Sequence, residues 1–107
     1  MDDQGTEMVS FQLVAAAGEA RSLAFEALEK AKAGDFDAAA KLMKQSKDAG
    51  IKAHIQTQLL STEAAGEHLS VDVLLVHAQD HLMCSMLAQE LVQELICLYE
   101  RTATKNA

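Results

Sequence analysis

Apolar residues recur along this chain at steps of three and four, the spacing that puts them on one side of an α-helix. After a frayed start over residues 1 to about 6, Val9, Leu13, Ala16, Ala20, Leu23 and Ala27 form a heptad seam between Glu7 and Ala33. Ala17, Ala24, Leu28 and Ala31 widen that face, so the first helix meets more than one neighbour. Glu26 and Lys30, four apart, are placed for a favourable charge pair on its outside. Gly34-Asp35 then ends one helix and caps the next, and so short a turn makes the two antiparallel. The second helix is expected from Phe36 to about Ser61, with Ala39, Leu42, Ala49, Ala53, Gln56 and Leu60 inside. Its stripe is weak, because Ser46 and Gln56 interrupt it and Gly50 costs about 1 kcal/mol relative to Ala in mid-helix.

Thr62 to Leu69, with Gly66 central, reads as the second connection, and Ser70 as the N-cap of a third helix ending near Arg101. That helix is apolar almost all the way round, from Val73, Leu74, Leu75 and Val76 to Leu95, Ile96 and Leu98. Two helices of the same small chain cannot cover it, so it should also face copies of itself. The expected architecture is therefore all-α: one domain over residues 1–107, an antiparallel three-helix bundle with helices at about 7–33, 36–61 and 70–101, assembled as an oligomer. Asp80 sharpens this reading. Val73, Val76, Asp80, Met83 and Leu87 follow a further four-three seam in which Asp80 is the only charged member. A lone polar residue in such a seam can fix register and oligomer state. If the seam lies on a rotation axis, crowded carboxylates need compensation, from a hard cation with oxygen ligands or from a shared proton. The alternative is an Asp80 turned out to solvent.

Composition narrows the function classes. The chain has no Pro, few aromatics and half its residues apolar, which favours helix over strand. No run of 18 uncharged apolar residues marks a membrane span, and the acidic start is unlike a secretory signal. Cys84 and Cys97 lie thirteen positions apart on one helix, roughly 20 Å, too far for a disulfide. Both read as small core residues of a cytoplasmic protein. A formal charge of -7 argues against nucleic acid and anionic membrane surfaces as partners, and suits a basic one.

The chemistry concentrates in Val76-His77-Ala78-Gln79-Asp80-His81-Leu82-Met83, where His77, Asp80 and His81 share one side of the third helix. Two histidines four apart suit a metal on one helix, with Asp80 or Cys84 as further ligands, although His54 and His68 are isolated from them. Hydrolysis would require a nucleophile, an oxyanion pocket and a cleft that an Ala-rich bundle does not readily supply. Histidines satisfied by hydrogen bonds in a core or interface account for the spacing equally well. A phosphoryl-accepting His fits too, since imidazole is a competent nucleophile that needs only exposure and orientation.

The run Leu74-Leu75-Val76-His77-Ala78-Gln79-Asp80-His81-Leu82-Met83 resembles the signature of the lactose/cellobiose-type enzyme IIA family of the bacterial phosphotransferase system. Gly18-Glu19-Ala20-Arg21-Ser22-Leu23-Ala24-Phe25-Glu26-Ala27-Leu28 resembles that family's first-helix motif. Ala33-Gly34-Asp35-Phe36 and Ala64-Ala65-Gly66-Glu67 resemble its two connections, so the likeness runs over about residues 9 to 101. It implies a homotrimer with a nine-helix core, and a phosphotransferase component working through a phosphohistidine intermediate. His77 would accept phosphate from the phosphocarrier protein HPr and pass it to a cysteine of the sugar-specific IIB component during disaccharide uptake. Asp80 would lie on the threefold axis and hold one divalent cation per trimer, commonly Mg2+ in the family. Gln79 and His81 would support His77, by hydrogen bonds to phosphoryl oxygens or by orienting the ring. The family's second helix carries Ala-His-x-x-Gln-Thr, whereas Ala53-His54-Ile55-Gln56-Thr57 is one residue shorter, which leaves His54 a structural role. The rival reading is a non-catalytic trimeric scaffold with a structural metal. A histidine-phosphotransfer domain of two-component signalling is weaker, being generally a four-helix bundle. The sugar is not legible in the sequence.

Overall fold

The computed structural model describes residues 3–65 and 73–106 and contains three helices, α1 (Asp3–Lys32), α2 (Phe36–Ala65) and α3 (Val73–Asn106). They form a rod 58 Å long and 16–18 Å across. The turn between α1 and α2 closes as the Gly-Asp pair requires. Gly34 takes a left-handed φ of 84°, which favours a residue without Cβ. Its N–H donates to the carbonyl of Ala31 at 3.0 Å, and the Asp35 N–H donates to that of Lys30 at 2.9 Å. This crossed pair satisfies the last carbonyls of α1. The Asp35 carboxylate then accepts from the Ala38 N–H at 3.2 Å and caps α2.

α1 is the shared partner of the other two helices, while α2 and α3 meet along a narrower seam. Two apolar clusters fill the rod. One, towards the Gly34 turn, joins Ala24, Ala27, Leu28 and Ala31 of α1 to Ala39 and Met43 of α2 and to Val92 and Ile96 of α3. The other joins Leu13 and Ala17 to Ala53 and to Leu75, Ala78 and Leu82. A polar layer links all three helices between these clusters. Ser46 is fully buried, and its Oγ donates to the Ala20 carbonyl at 2.5 Å. The Gln89 amide donates to the Ser46 carbonyl at 2.8 Å and to its Oγ at 2.9 Å. Gly50 makes room for that amide, since a Cβ there would stand 3.2 Å from Gln89 Nε2.

Several expectations need correction. α1 begins at Asp3, with no frayed stretch to residue 6, because the acidic N-terminal residues suit a helix's first turns. α2 runs on through Thr62–Ala65, and α3 extends past Arg101 to Asn106. Gly66 to Ser70 lie outside the described residues, as does the cap expected there. The buried line of α1 is Leu13, Ala17, Ala20, Ala24, Ala27 and Ala31, whereas Val9, Ala16 and Leu23 are half-buried. Alanine occupies both candidate lines, so hydrophobicity alone did not separate them. Of the inner stripe on α2, Ala39, Ala49 and Ala53 are buried and Leu42 is half-buried; the side chains of Gln56 and Leu60 lie outside the described residues. Among the described residues the ion pair on α1 is Lys32 with Glu29 at 3.4 Å, in place of the Glu26–Lys30 pair. Cys84 and Cys97 are exposed, not core fillers, because both sit on the outward side of α3. That helix is also long and apolar enough, by length and composition alone, to cross a bilayer. Its uncovered ridge supplies that apolar character, in a helix that packs its other side into the bundle.

Candidate functional site

Rotation of α3 is set by what it buries. Leu75, Ala78 and Leu82 lie at helical spacing and are buried against Leu13, Ala17 and Ala53. With about 100° between successive residues, this anchoring turns positions 76, 77, 80, 83 and 84 outward. His77 and Asp80 are exposed, and Gln79 and His81 are half-buried. The structure therefore brings together the four residues expected at the site, on one clamped turn and a half of helix. The His77 and His81 rings, four residues apart, stand edge to face at 76° with centroids 4.3 Å apart. His81 thus forms one wall of the space around His77 and limits how that ring can turn.

The carboxylate of Asp80 accepts a long hydrogen bond from the Cys84 thiol, Sγ to Oδ1 4.0 Å. The sequence reads Cys84 as a core residue or a further metal ligand; its place four residues after Asp80 is the signal for this contact. Within one chain the described residues contain no cluster of three or more His, Cys, Asp or Glu side chains able to hold a metal. His54 is elsewhere: it is exposed on α2 beside Lys47, Ile51, Met86 and Gln89. His68 lies outside the described residues.

Asp80 interrupts an apolar ridge that the bundle leaves bare. Val73 is 86% exposed, and Val76, Met83, Leu87, Leu91 and Leu98 are each 55–59% exposed. The exposure falls on one line down the helix, as the seam reading requires. A shallow apolar cavity of about 300 Å³ flanks it, between Phe25 of α1 and Cys84, Leu87, Leu91 and Leu95 of α3. Ile51 and Ile55 of α2 are exposed on another side of the rod. Contiguous bare apolar surface of this kind marks an association face. Chemically, the turn offers an accessible, oriented nucleophile with a second imidazole beside it and a carboxylate on the adjoining ridge.

Known proteins share this sequence and fold. The family described as "PTS system, Lactose/Cellobiose specific IIA subunit" matches residues 8–100. The N,N'-diacetylchitobiose-specific EIIA component of Escherichia coli K12 is 51% identical over 96 residues, covering 89% of this chain and 83% of the relative. The crystal structure of a cellobiose-specific enzyme IIA from Bacillus anthracis superposes with a TM-score of 0.88 at 43% identity, covering 98% of this chain and 95% of that one. The IIA(chitobiose) structure solved in complex with HPr, from Escherichia coli, gives 0.80 at 48% identity, covering 92% and 96%. The likeness spans all three helices and favours a phosphotransferase component over the passive scaffold. The chain belongs to the lactose/cellobiose-specific IIA family, and is a IIA component of a sugar phosphotransferase system.

Proposed function

We propose that His77 is the residue that carries the phosphoryl group. One observation bears most of the weight: His77 is the exposed imidazole of a turn held rigid by Leu75, Ala78 and Leu82, with the His81 ring set edge-on beside it. The donor is phospho-HPr, in keeping with the HPr complex of the chitobiose relative. A nitrogen of His77 attacks phosphorus in line as the bond to the donor's histidine breaks; a cysteine thiolate of IIB then attacks the same phosphorus as its bond to the His77 nitrogen breaks. Such transfer depends chiefly on positioning and charge neutralisation, and so suits an open surface. His81 and Gln79 support His77, by limiting its ring rotation and by donating to phosphoryl oxygens. The exchange takes place in the cytoplasm.

The working form is a homotrimer about the α3 ridge. The surfaces on the two sides of that ridge are unlike, one with Phe25 of α1 and the other with Met86 and α2. Unlike faces that join head to tail form a ring when their rotation closes, where a twofold dimer would pair identical faces. Three Asp80 carboxylates would then converge, an all-oxygen donor set that fits a hard divalent cation such as Mg2+, whereas one chain supplies a single carboxylate. When bound, that cation neutralises like charges on the axis. It takes no part at His77.

Enzyme I, HPr and labelled phosphoenolpyruvate test the reading directly. The wild type and His81→Ala acquire label, the latter more slowly, and His77→Ala acquires none while keeping its helical spectrum. Full labelling of folded His77→Ala would refute the assignment.

A further inference from the structure

His77 and Gln79, both placed at the phosphoryl site, point to opposite sides of α3. Successive residues turn by about 100°, so His77 lies roughly 60° to one side of Asp80 and Gln79 roughly 100° to the other. Residues two apart on a helix do not face each other. The cavities identify the two sides. Cys84 and Leu91 follow His77 at steps of seven, and both line the apolar cavity beside Phe25 of α1. Met86 and Gln93 follow Gln79 at the same step and line openings along α2, the first beside Ile51 and His54, the second beside Phe36 and Lys44. His77 therefore opens towards α1 and Gln79 towards α2, with the bare ridge between them. Within one subunit the Gln79 amide is turned away from a phosphoryl group on His77.

Closing the ring reverses this separation. On the reading that His77 is the acceptor and the α3 ridge the trimer seam, the α1 side of one subunit meets the α2 side of the next. The ridge holds its line from Val73 to Leu98, about 37 Å, so the axis runs along the rod. Rotation about such an axis keeps every residue at its own height. Gln79 stands only about 3 Å further along α3 than His77. Gln79 of the partner subunit thus arrives on the ridge side of His77, level with its ring. His81 lies roughly 40° further round, on the side away from the ridge, and walls the same ring from within its own subunit.

We propose that each phosphoryl site is shared between subunits: Gln79 of the partner subunit donates an amide N–H to a phosphoryl oxygen on His77, and a subunit's own Gln79 serves its other neighbour. A primary amide is uncharged and offers two N–H donors, which suits phosphoryl oxygens over which negative charge is spread in transit. No proton changes hands. Reactivity is then tied to assembly, because an isolated subunit lacks this donor.

Mixed trimers separate the two neighbours. In the homotrimer, Gln79→Ala should slow labelling of His77 by phospho-HPr about tenfold or more, with helical spectrum and sedimentation unchanged. Refolded together with a large excess of His77→Ala, nearly every Gln79→Ala subunit gains an intact Gln79 on both sides, and its His77 should be labelled at the wild-type rate. Tagged wild-type subunits diluted into excess H77A/Q79A should fall to the slow rate, whereas dilution into His77→Ala alone should leave them fast. A Gln79→Ala homotrimer labelled as fast as the wild type would overturn the proposal. So would rates that follow each subunit's own residue 79, in mixtures shown by affinity tag to contain hetero-trimers, and that result would leave the trimer and His77 readings standing. A chain sedimenting as a monomer would overturn the trimer and the shared site together.

Discussion

The two ends of this rod are built from similar material and finished differently. Towards Gly34 the chain closes on itself. The turn satisfies its own backbone, and Phe36 and Leu42 pack over a cluster in which each helix contributes buried residues. Towards His77 a comparable small core of Leu13, Ala17, Ala53, Leu75, Ala78 and Leu82 carries exposed chemistry on its outer side. The Ser46–Gln89 layer stands between them. What distinguishes the ends is the use of α3's outward positions: the core of the second end holds the backbone still so that an imidazole can be left in solvent. Rigidity is supplied from inside and reactivity is placed outside.

The largest effect expected is loss of all phosphoryl acceptance in His77→Ala, with thermal unfolding unchanged within experimental error. Next, Leu82→Ala and Ile96→Ala each remove a buried aliphatic side chain and should cost about 2–5 kcal/mol in denaturant titration. They separate the two ends by function. Leu82→Ala should also slow phosphoryl acceptance, because it loosens the turn under His77, while Ile96→Ala should leave that rate alone. Equal slowing by both would erase the distinction. Asp80→Leu exchanges crowded like charges for apolar contact and should stabilise the proposed trimer by about 1–4 kcal/mol in the presence of a chelator. Sedimentation of that variant as a monomer would count against the axial placement.

The smallest effects probe the layer in between. Ser46→Ala removes one hydrogen bond to the Ala20 carbonyl and one from the Gln89 amide and should cost about 1 kcal/mol. Gly50→Ala gains helix propensity but crowds Gln89, so the two terms oppose. In a Gln89→Ala background the crowding is gone, and the substitution should show the full propensity gain of about 1 kcal/mol, more than in the wild type. A double-mutant cycle with no coupling would show that Gly50 is there for another reason.

Much of this was legible in the order of residues. The three helices, the Gly34-Asp35 turn and the bare α3 ridge all follow from apolar spacing, because Leu, Val and Met contrast sharply with the charged residues between them. The His77 turn was legible too, since four-residue spacing alone puts its chemistry on one side. Where contrast fails, the reading fails. Alanines on two neighbouring lines of α1 left its rotation ambiguous, and the buried line proved to be that of Ala17 and Ala24. Cys84 and Cys97 were assigned to the core from their residue type, but three-dimensional position is decided by neighbours such as Leu82 and Ile96, which take the inward places. The Ser46–Gln89 contact joins residues 43 positions apart on different helices, so no local pattern announces it. Gly50, read as a weakness of α2, is instead the space that contact needs.

The decisive measurement is the site of the phosphoryl group itself. Protein phosphorylated by phospho-HPr and observed by 15N–31P coupled NMR with residue-specific histidine assignments should show the phosphorus bonded to a ring nitrogen of His77 alone. Phosphorus on His81, His54 or Asp80, with His77 unmodified, would contradict the account.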